Sequence, residues 1–234
     1  MAKLLDAILK GQPEMTTAII TAIYGGYDYL SELPEGHGFD EAICVTDNPD
    51  LQADTWTIVY EPKPDLHPRL AAKYPKMTPW LYTDADVAVW IDGAIKVVGD
   101  GFHQACIDAL GDADITVWKH AERNQRNCLY DEAAYCAGWP KYRDWPIGKQ
   151  VAHYDDQGMP RGFGLYGCST IVWRKTPQAH EFGLNWLSEN LSWSIQDQVS
   201  FPYLVWKFQP RLATFPFEEF GNPYLIRLAH TRND

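Results

Sequence analysis

The chain has 234 residues, of which 46% are hydrophobic and 22% charged, a composition typical of a globular protein with a sizeable core. Its formal net charge of −11 argues against sequence-independent binding to nucleic acids, whose phosphates require a basic surface. No stretch is long and apolar enough to span a membrane, and residues 1–14 predict a short amphipathic helix rather than a signal peptide.

Five cysteines are scattered along the sequence without a CxxC pair. This pattern argues against a disulfide scaffold and favours a reducing compartment, so we expect a cytoplasmic protein. Because no repeat or linker is visible, the sequence predicts a single domain over residues 1–234. Residues 138–162 are rich in Gly, Pro, Tyr and Asp, and they predict a long loop or lid with one helix over 145–154.

The first sixty residues contain short apolar stretches separated by turns. Strands are predicted over residues 16–24, 41–46 and 55–60, because each stretch is rich in β-branched or aromatic residues and ends at a turn. Such a series is typical of the nucleotide-binding half of an α/β fold. Neither a GxGxxG nor a Walker sequence is present, so the pattern does not support a classical dinucleotide or P-loop site.

Residues 67–77 predict a helix that carries a basic face. Arg69, Lys73 and Lys76 recur at helical spacing, Pro68 fits the first turn, and Pro75 limits the end. The basic face has two interpretations, a solvated surface or a clamp for phosphate groups. Its position directly before the next strand, in a strongly acidic chain, favours the clamp.

Residues 84–96, DADVAVWIDGAIK, contain a buried strand over 87–91 that stops at Asp92. Ligands of open α/β sheets bind beyond the carboxyl ends of the strands, so Asp92 is expected to point into the ligand site. Asp84 and Asp86 form a literal DxD, but they would lie at the start of the strand, on the opposite edge. Pro79 makes the preceding segment a poor strand, which supports this direction. Asp92 is therefore the preferred acid, and the DxD pair is the alternative.

A second group of polar residues follows the strand predicted over residues 115–119. His120 lies at the end of this strand, and Arg123 and Arg126 follow in a loop that leads into a helix. A histidine is more often structural than catalytic, but the strand-end position favours a place in the site.

The last third of the chain predicts a strand over 165–174 and a helix over 180–190. Asp197 and Gln198 then open an apolar helical stretch, where they either cap the helix or face a ligand. Near the end, His230 follows a short apolar strand. It is either a surface residue of a frayed tail or a metal ligand, since imidazole with carboxylate oxygens suits Mn²⁺-type chemistry.

Several stretches together resemble the domain of unknown function 616 family. They are, in order, residues 21–30, 43–48, 68–77, 86–97, 119–133 and 194–207. That family comprises glycosyltransferases of the GT-A fold related to plant mucilage and cell-wall proteins, with bacterial and phage relatives. The resemblance implies a Rossmann-like α/β fold whose central sheet is mixed but mainly parallel, with helices on both faces. It also implies sugar transfer from a UDP- or GDP-linked donor to a hydroxyl of a glycan or protein acceptor.

The resemblance, together with the positions at strand ends and the charge requirements of sugar transfer, suggests a role for each candidate residue. Residues expected to hold the base, ribose and phosphates of the donor are Tyr24, Tyr27, Thr46, Asp47, Arg69 and Lys73. Residues expected to be catalytic are Asp197, Gln198 and His120. Residues expected to contact the donor sugar or the acceptor are Arg123, Arg126 and Asp92. A Mn²⁺ or Mg²⁺ ion would be held by Asp92 and His230, or alternatively by Asp84 and Asp86.

Two features of the resemblance bear on mechanism. The pair Asp197-Gln198 is similar to the DQ of glycogenin-like retaining transferases, which favours retention. The second position after Asp92 is Ala94, a departure from the DxD of metal-dependent members. This departure supports an alternative, a catalytically weak protein that binds nucleotide sugars. A metal-dependent nucleotide-sugar hydrolase would need a denser cluster of carboxylates and histidines than any one segment offers.

Overall fold

The computed structural model describes residues 15–120 and 126–231. The predicted N-terminal helix, residues 1–14, lies outside this part of the chain. The strands are β1 (Thr17–Ile23), β2 (Glu41–Thr46), β3 (Thr57–Tyr60), β4 (Val87–Ile91), β5 (Ile95–Val97), β6 (Ile115–Lys119), β7 (Tyr166–Arg174), β8 (Leu212–Thr214) and β9 (Leu225–Arg227).

The helices are α1 (Pro68–Ala71), α2 (Lys73–Met77), α3 (Phe102–Leu110), α4 (Leu129–Cys136), α5 (Ile147–Asp156), α6 (Pro177–Ser192) and α7 (Asp197–Phe208). Two 3₁₀ turns, Pro79–Leu81 and Pro140–Tyr142, complete the regular elements of the described residues. Within the described residues, no helix is long and apolar enough to cross a membrane.

Seven strands form the central sheet, in the order β3-β2-β1-β4-β7-β6-β8. β1 pairs in parallel with β2 and β4, β2 with β3, and β6 with β8, whereas β7 runs antiparallel to β4 and β6. All strands of this sheet except β7 therefore share one direction, and their carboxyl ends meet at one edge. β5 and β9 form a separate antiparallel pair.

Apolar side chains bury both faces of the sheet. On one face, Ile20, Trp90 and Trp173 belong to a cluster with residues of α1, α2, α4, α5, α6 and α7. On the other face, Val89 and Val172 pack with residues of α3. Alternate strand residues thus point into two cores, as the pleat of a strand requires. The expected architecture, an α/β fold with a mixed, mainly parallel sheet and helices on both faces, is confirmed.

The strand predictions over residues 41–46, 87–91 and 115–119 are confirmed to the residue. The helix predicted over 67–77 is instead two short helices that meet at Ala72. Pro75 has no N–H to donate to the carbonyl of Ala71, which interrupts the regular ladder at this point. β5 and β8 were not predicted, because three residues are too few for a period-2 pattern.

Helix α6 touches α2 backbone to backbone. A Cβ atom at Gly183 of α6 would lie 2.1 Å from the carbonyl oxygen of Met77 and 2.5 Å from the ring of Trp80. Only glycine permits this approach, which brings α2 against the sheet. All five cysteines are buried free thiols, in agreement with the prediction of no disulfide scaffold. The single domain and the cytoplasmic location stay predictions.

Candidate functional site

A pocket of about 510 Å³ opens at the carboxyl ends of β1 and β4. Its volume lies within the range of about 300–1,000 Å³ that is typical of small-molecule sites. The predicted site residues that line it are Tyr24, Tyr27, Arg69, Lys73, Asp92, His120, Arg126, Asp197, Gln198 and His230. Segments far apart in sequence therefore converge on one cavity at the edge where ligands of such sheets bind.

The literal DxD lies away from this pocket. Asp84 is exposed and pairs with Lys175 at 3.0 Å, and Asp86 accepts hydrogen bonds from the backbone and hydroxyl of Thr16 at 2.9 Å. Both precede β4, whereas Asp92 follows it and lines the pocket. The predicted strand direction is therefore confirmed, whereas the role of Asp92 in the site stays a prediction. Another predicted residue, Arg123, lies outside the described residues.

Two lysines and two aspartates form a bonded group that we call the lysine–aspartate network: the buried Lys73, Lys76 and Asp197, and the half-exposed Asp92. Lys73 Nζ lies 2.6 Å from Asp197 Oδ1, and Lys76 Nζ lies 2.7 Å from Asp197 Oδ2. Lys76 Nζ also donates to Asp92 Oδ1 at 2.9 Å. Lys73 and Lys76 are only 9% and 3% exposed, so the interpretation of a solvated basic face is wrong for these two lysines.

The same contacts show whether Asp197 caps helix α7. It is the first residue of α7, after an N-cap at Gln196, and its carboxylate bonds lysines instead of backbone amides. The interpretation of Asp197 as a helix cap is therefore wrong. Gln198, the second residue of the predicted pair, lines the pocket beside it.

The network is electrically balanced. Burial alone would raise the pKa of Asp197, but Lys73 and Lys76 outweigh it and hold that pKa below its usual value. Burial would likewise lower the pKa of Lys76, but the carboxylates of Asp197 and Asp92 raise it above the usual value. Burial lowers the pKa of Lys73, and Asp197 opposes that shift only in part. In their usual ionised forms, two ammonium groups face two carboxylates, so the network has no net formal charge.

The loop after β1 is shaped by the two predicted residues at the end of β2. Both carboxylate oxygens of Asp47 accept from the Gly25 amide at 3.0 Å, and Thr46 Oγ1 donates to the Ile23 carbonyl at 2.7 Å. Gly25 has a φ of +62°, which favours glycine. Thr46 and Asp47 are not among the pocket-lining residues, so in the structure they hold the loop that carries Tyr24 and Tyr27.

The C-terminal segment is bound to this loop. His230 Nδ1 lies 2.7 Å from Asp28 Oδ1, and the His230 ring packs 4.9 Å from that of Tyr27. The Thr231 amide donates to the Tyr27 carbonyl at 3.1 Å. Arg69 lies over the Tyr27 ring at 4.6 Å and donates to its hydroxyl. His230 is therefore part of the pocket wall, and the interpretation of a frayed tail does not hold for it.

A buried carboxylate, Glu132, organises the opposite wall. Arg126 Nε donates to Glu132 Oε2 at 2.7 Å, and Gln196 Nε2 donates to Oε1 at 2.9 Å. Burial lowers the pKa of the nearby His120, and Glu132 opposes this shift only in part. The imidazole is therefore favoured in its neutral form, which can accept a proton. Sequence patterns did not single out Glu132, because an acid in a helix is usually exposed.

Glu219 is a second carboxyl that the sequence did not single out. Ser169 Oγ donates to Glu219 Oε1 at 2.7 Å, and a Cβ at Gly167 would lie 2.8 Å from Oε2. Burial raises the pKa of this carboxyl above its usual value, with the charge of Asp92 adding to the shift. The side chain comes from an irregular segment between β8 and β9, where no periodic pattern could indicate its direction.

The predicted metal ligands do not form a ready site. Among residues 15–120 and 126–231, no group of three His, Cys, Asp or Glu side chains lies close enough to hold a metal ion. Asp92 Oδ1 already accepts from the Lys76 ammonium and the Trp90 indole, and His230 faces Asp28. The donor set does not fit Mn²⁺ or Mg²⁺ as it stands, so metal assistance stays a prediction.

Comparisons with known proteins identify the family to which this chain belongs. A search of curated proteins found no match. A solved structure of the WbbM bifunctional glycosyltransferase in its apo form is similar with a TM-score of 0.48 and 11% identity, covering 88% of this chain and 40% of that one. The sequence model of the TOD1/MUCI70, glycosyltransferase-like domain matches residues 40–226. This match confirms the family resemblance drawn from the sequence. The chain belongs to the TOD1/MUCI70 glycosyltransferase-like domain family.

Proposed function

We propose that this protein transfers a sugar from a nucleoside-diphosphate sugar, UDP- or GDP-linked, to a hydroxyl group of a glycan or protein. The observation that carries the proposal is the pocket at the carboxyl edge of the sheet. There Asp92, which follows β4, and Asp197, the first residue of α7, are bonded to Lys73 and Lys76. The loop that follows β1 lines the same pocket. Family membership supports the same reaction class.

The donor nucleotide would lie against the loop after β1. Tyr24 and Tyr27 line the pocket there, and Asp47 fixes the loop from behind. Arg69 lies over Tyr27 and offers its guanidinium to the phosphates. As the glycosidic bond breaks, negative charge grows on the diphosphate, and a fixed cation stabilises that charge without having to reorganise.

The reacting sugar would lie near Gln198 and His120. The Gln198 carboxamide offers a dipole to the sugar, whereas Asp197 positions Lys73 and Lys76. We propose retention of the anomeric configuration, following the similarity of the DQ pair to retaining transferases. An inverted product would instead require a base for the acceptor hydroxyl, and Glu219, with its raised pKa, is the pocket carboxyl suited to that task.

The acceptor would enter along α4. Tyr135 and Trp139 line the pocket, are each 46% exposed, and have ring centroids 5.8 Å apart. Exposed aromatic faces at a pocket mouth suit the apolar faces of sugar rings. Arg126, whose guanidinium lies 3.9 Å from the Tyr135 ring centroid, gives this wall a polar partner for acceptor hydroxyls.

Thermal denaturation with a panel of UDP- and GDP-sugars tests the proposal. The correct donor at about 100 times its Kd should add about 2.7 kcal/mol to the free energy of unfolding. Product analysis then separates the outcomes: transfer supports the proposal, binding without turnover identifies a nucleotide-sugar-binding protein, and hydrolysis without acceptor identifies a hydrolase. No stabilisation by any donor would contradict the proposal.

The same measurement with and without Mn²⁺ or Mg²⁺ tests the predicted metal. If Asp92 holds the ion, Asp92→Asn should abolish the metal-dependent part of the stabilisation. Asp84→Asn is the matched control, because Asp84 lies on the opposite edge of the sheet and should leave that part unchanged.

A further inference from the structure

Three basic side chains line the pocket without a carboxylate partner among the described residues. They are Arg69 on α1, Lys141 in the 3₁₀ turn Pro140–Tyr142, and Arg227 on β9, and we call them the rim cations. In the part of the chain that the structure describes, none of them lies within 4.0 Å of a carboxylate oxygen. Lys73 and Lys76, in the same pocket, are both paired.

The rim cations stand out in a chain whose formal net charge is −11. The pKa of Lys141 lies below its usual value, first because of partial burial and then because the charges of Arg69 and Arg227 repel its own. Three like charges thus face one cavity, and none of them forms an ion pair with a carboxylate of residues 15–120 or 126–231. Such a group has a lower free energy when an anion occupies the space between its members.

Neighbouring contacts hold each rim cation in place. Arg69 is fixed over the Tyr27 ring, and Lys141 Nζ lies 4.8 Å from the centroid of the Tyr142 ring. Arg227 pairs across the small sheet with Ile95, whose amide donates to the Asp92 carbonyl at 2.8 Å. The last contact links Arg227 to the end of β4.

We propose that Arg69, Lys141 and Arg227 form the binding site for the diphosphate group of the donor. This inference rests on the proposed function and specifies which residues hold the leaving group. A diphosphate carries several negative charges and acceptor oxygens, which match guanidinium and ammonium donors. Lys73, predicted from the sequence as a phosphate ligand, already has its charge matched by Asp197, so Lys141 and Arg227 serve in its place.

Isothermal titration calorimetry with inorganic pyrophosphate, UDP and GDP tests the site. Lys141→Gln and Arg227→Gln should each weaken binding about tenfold or more, as expected for the loss of a charged hydrogen bond. Both side chains are exposed, so the variants should keep the wild-type melting temperature. The nucleosides uridine and guanosine, which lack phosphates, should bind wild type and variants equally.

Two matched controls lie close by in the chain. Arg143→Gln removes an exposed cation two residues from Lys141, and Lys96→Gln removes one from β5, the partner of β9; neither residue lines the pocket. Both controls should bind pyrophosphate like the wild type. Equal weakening by controls and rim variants, or unchanged binding by the rim variants, would overturn the proposal.

The titrations also separate this inference from the proposed function. If pyrophosphate binding depends on Lys141 and Arg227 but no nucleotide sugar binds or reacts, the anion site stands and the proposed function fails. If a nucleotide sugar is bound and transferred equally by wild type and rim variants, the proposed function stands and the anion site is wrong.

Discussion

The pocket contains two sets of cations that differ in how their charge is balanced. In the lysine–aspartate network, Lys73 and Lys76 are buried and bonded to Asp92 and Asp197. The rim cations are half-buried or exposed and have no carboxylate partner among the described residues. The charges of the first set are balanced within the protein, whereas the charges of the second set would be balanced by a bound anionic ligand.

The difference follows from the energetics of burial. An ion removed from water needs a partner with good geometry, because desolvation costs several kcal/mol that only a close countercharge offsets. A cation at the rim stays hydrated and needs no partner within the protein. We infer that the network fixes the shape of the pocket and that the rim cations bind what enters it. Substitutions in either set should separate these two roles.

Breaking the network should have the largest effect on stability. Asp197→Asn leaves two buried ammonium groups without their shared carboxylate, so we expect the free energy of unfolding to fall by about 3–5 kcal/mol. Chemical denaturation measures this change. Asp84→Asn serves as the control, because it removes an exposed carboxylate of a surface pair and should leave stability nearly unchanged. A small effect of Asp197→Asn would show that the network is not structural.

Pushing α2 away from α6 should disturb the network without changing its charges. Gly183→Ala places a methyl group 2.1 Å from the Met77 carbonyl oxygen, so the backbones must separate. We expect a loss of about 1–3 kcal/mol in the free energy of unfolding. A methyl group at Gly148 of α5 would meet no atom within 4 Å, so Gly148→Ala should instead stabilise by about 0.5–1 kcal/mol. Equal effects of the two substitutions would contradict the backbone contact.

Glu219 lines the same pocket, and charges of both sets act on its carboxyl, those of Arg227 and Lys76 lowering its pKa and that of Asp92 raising it. Its native pKa lies above the usual value of 4.5, so the native state holds this proton more tightly than the unfolded chain. From pH 4.5 up to the native pKa, this carboxyl therefore lowers the free energy of unfolding as the pH rises. Glu219→Gln should remove that decrease, and denaturation of both proteins over a pH series measures it. Parallel pH profiles would contradict the raised pKa.

Local sequence patterns revealed the strands other than β5 and β8, and the acid at the end of β4. The apolar run over residues 87–91 fixed both the direction of the strand and the place of Asp92, because a strand end is a local feature. The spacing of Lys73 and Lys76 placed them on one helical face. Their pairing with Asp197, more than 120 residues away, depends on tertiary packing that no local pattern encodes.

The remaining pocket residues lie in segments without periodicity. Lys141 comes from a 3₁₀ turn within the predicted lid, and Arg227 from a strand of three residues. A short irregular segment does not indicate which way its side chains point, and a lone basic residue is usually solvated. The sequence therefore predicted most of the pocket residues that lie at strand ends. Among the rim cations it predicted only Arg69.

A crystal structure with a bound nucleoside diphosphate tests most directly whether the rim cations bind the ligand and the lysine–aspartate network only shapes the pocket. We predict diphosphate oxygens about 2.7–3.2 Å from the side-chain nitrogens of Arg69, Lys141 and Arg227, with the contacts of Asp197 to Lys73 and Lys76 unchanged. A diphosphate bound to Lys73 and Lys76 with Asp197 displaced, and with the rim cations left without contact, would contradict the account.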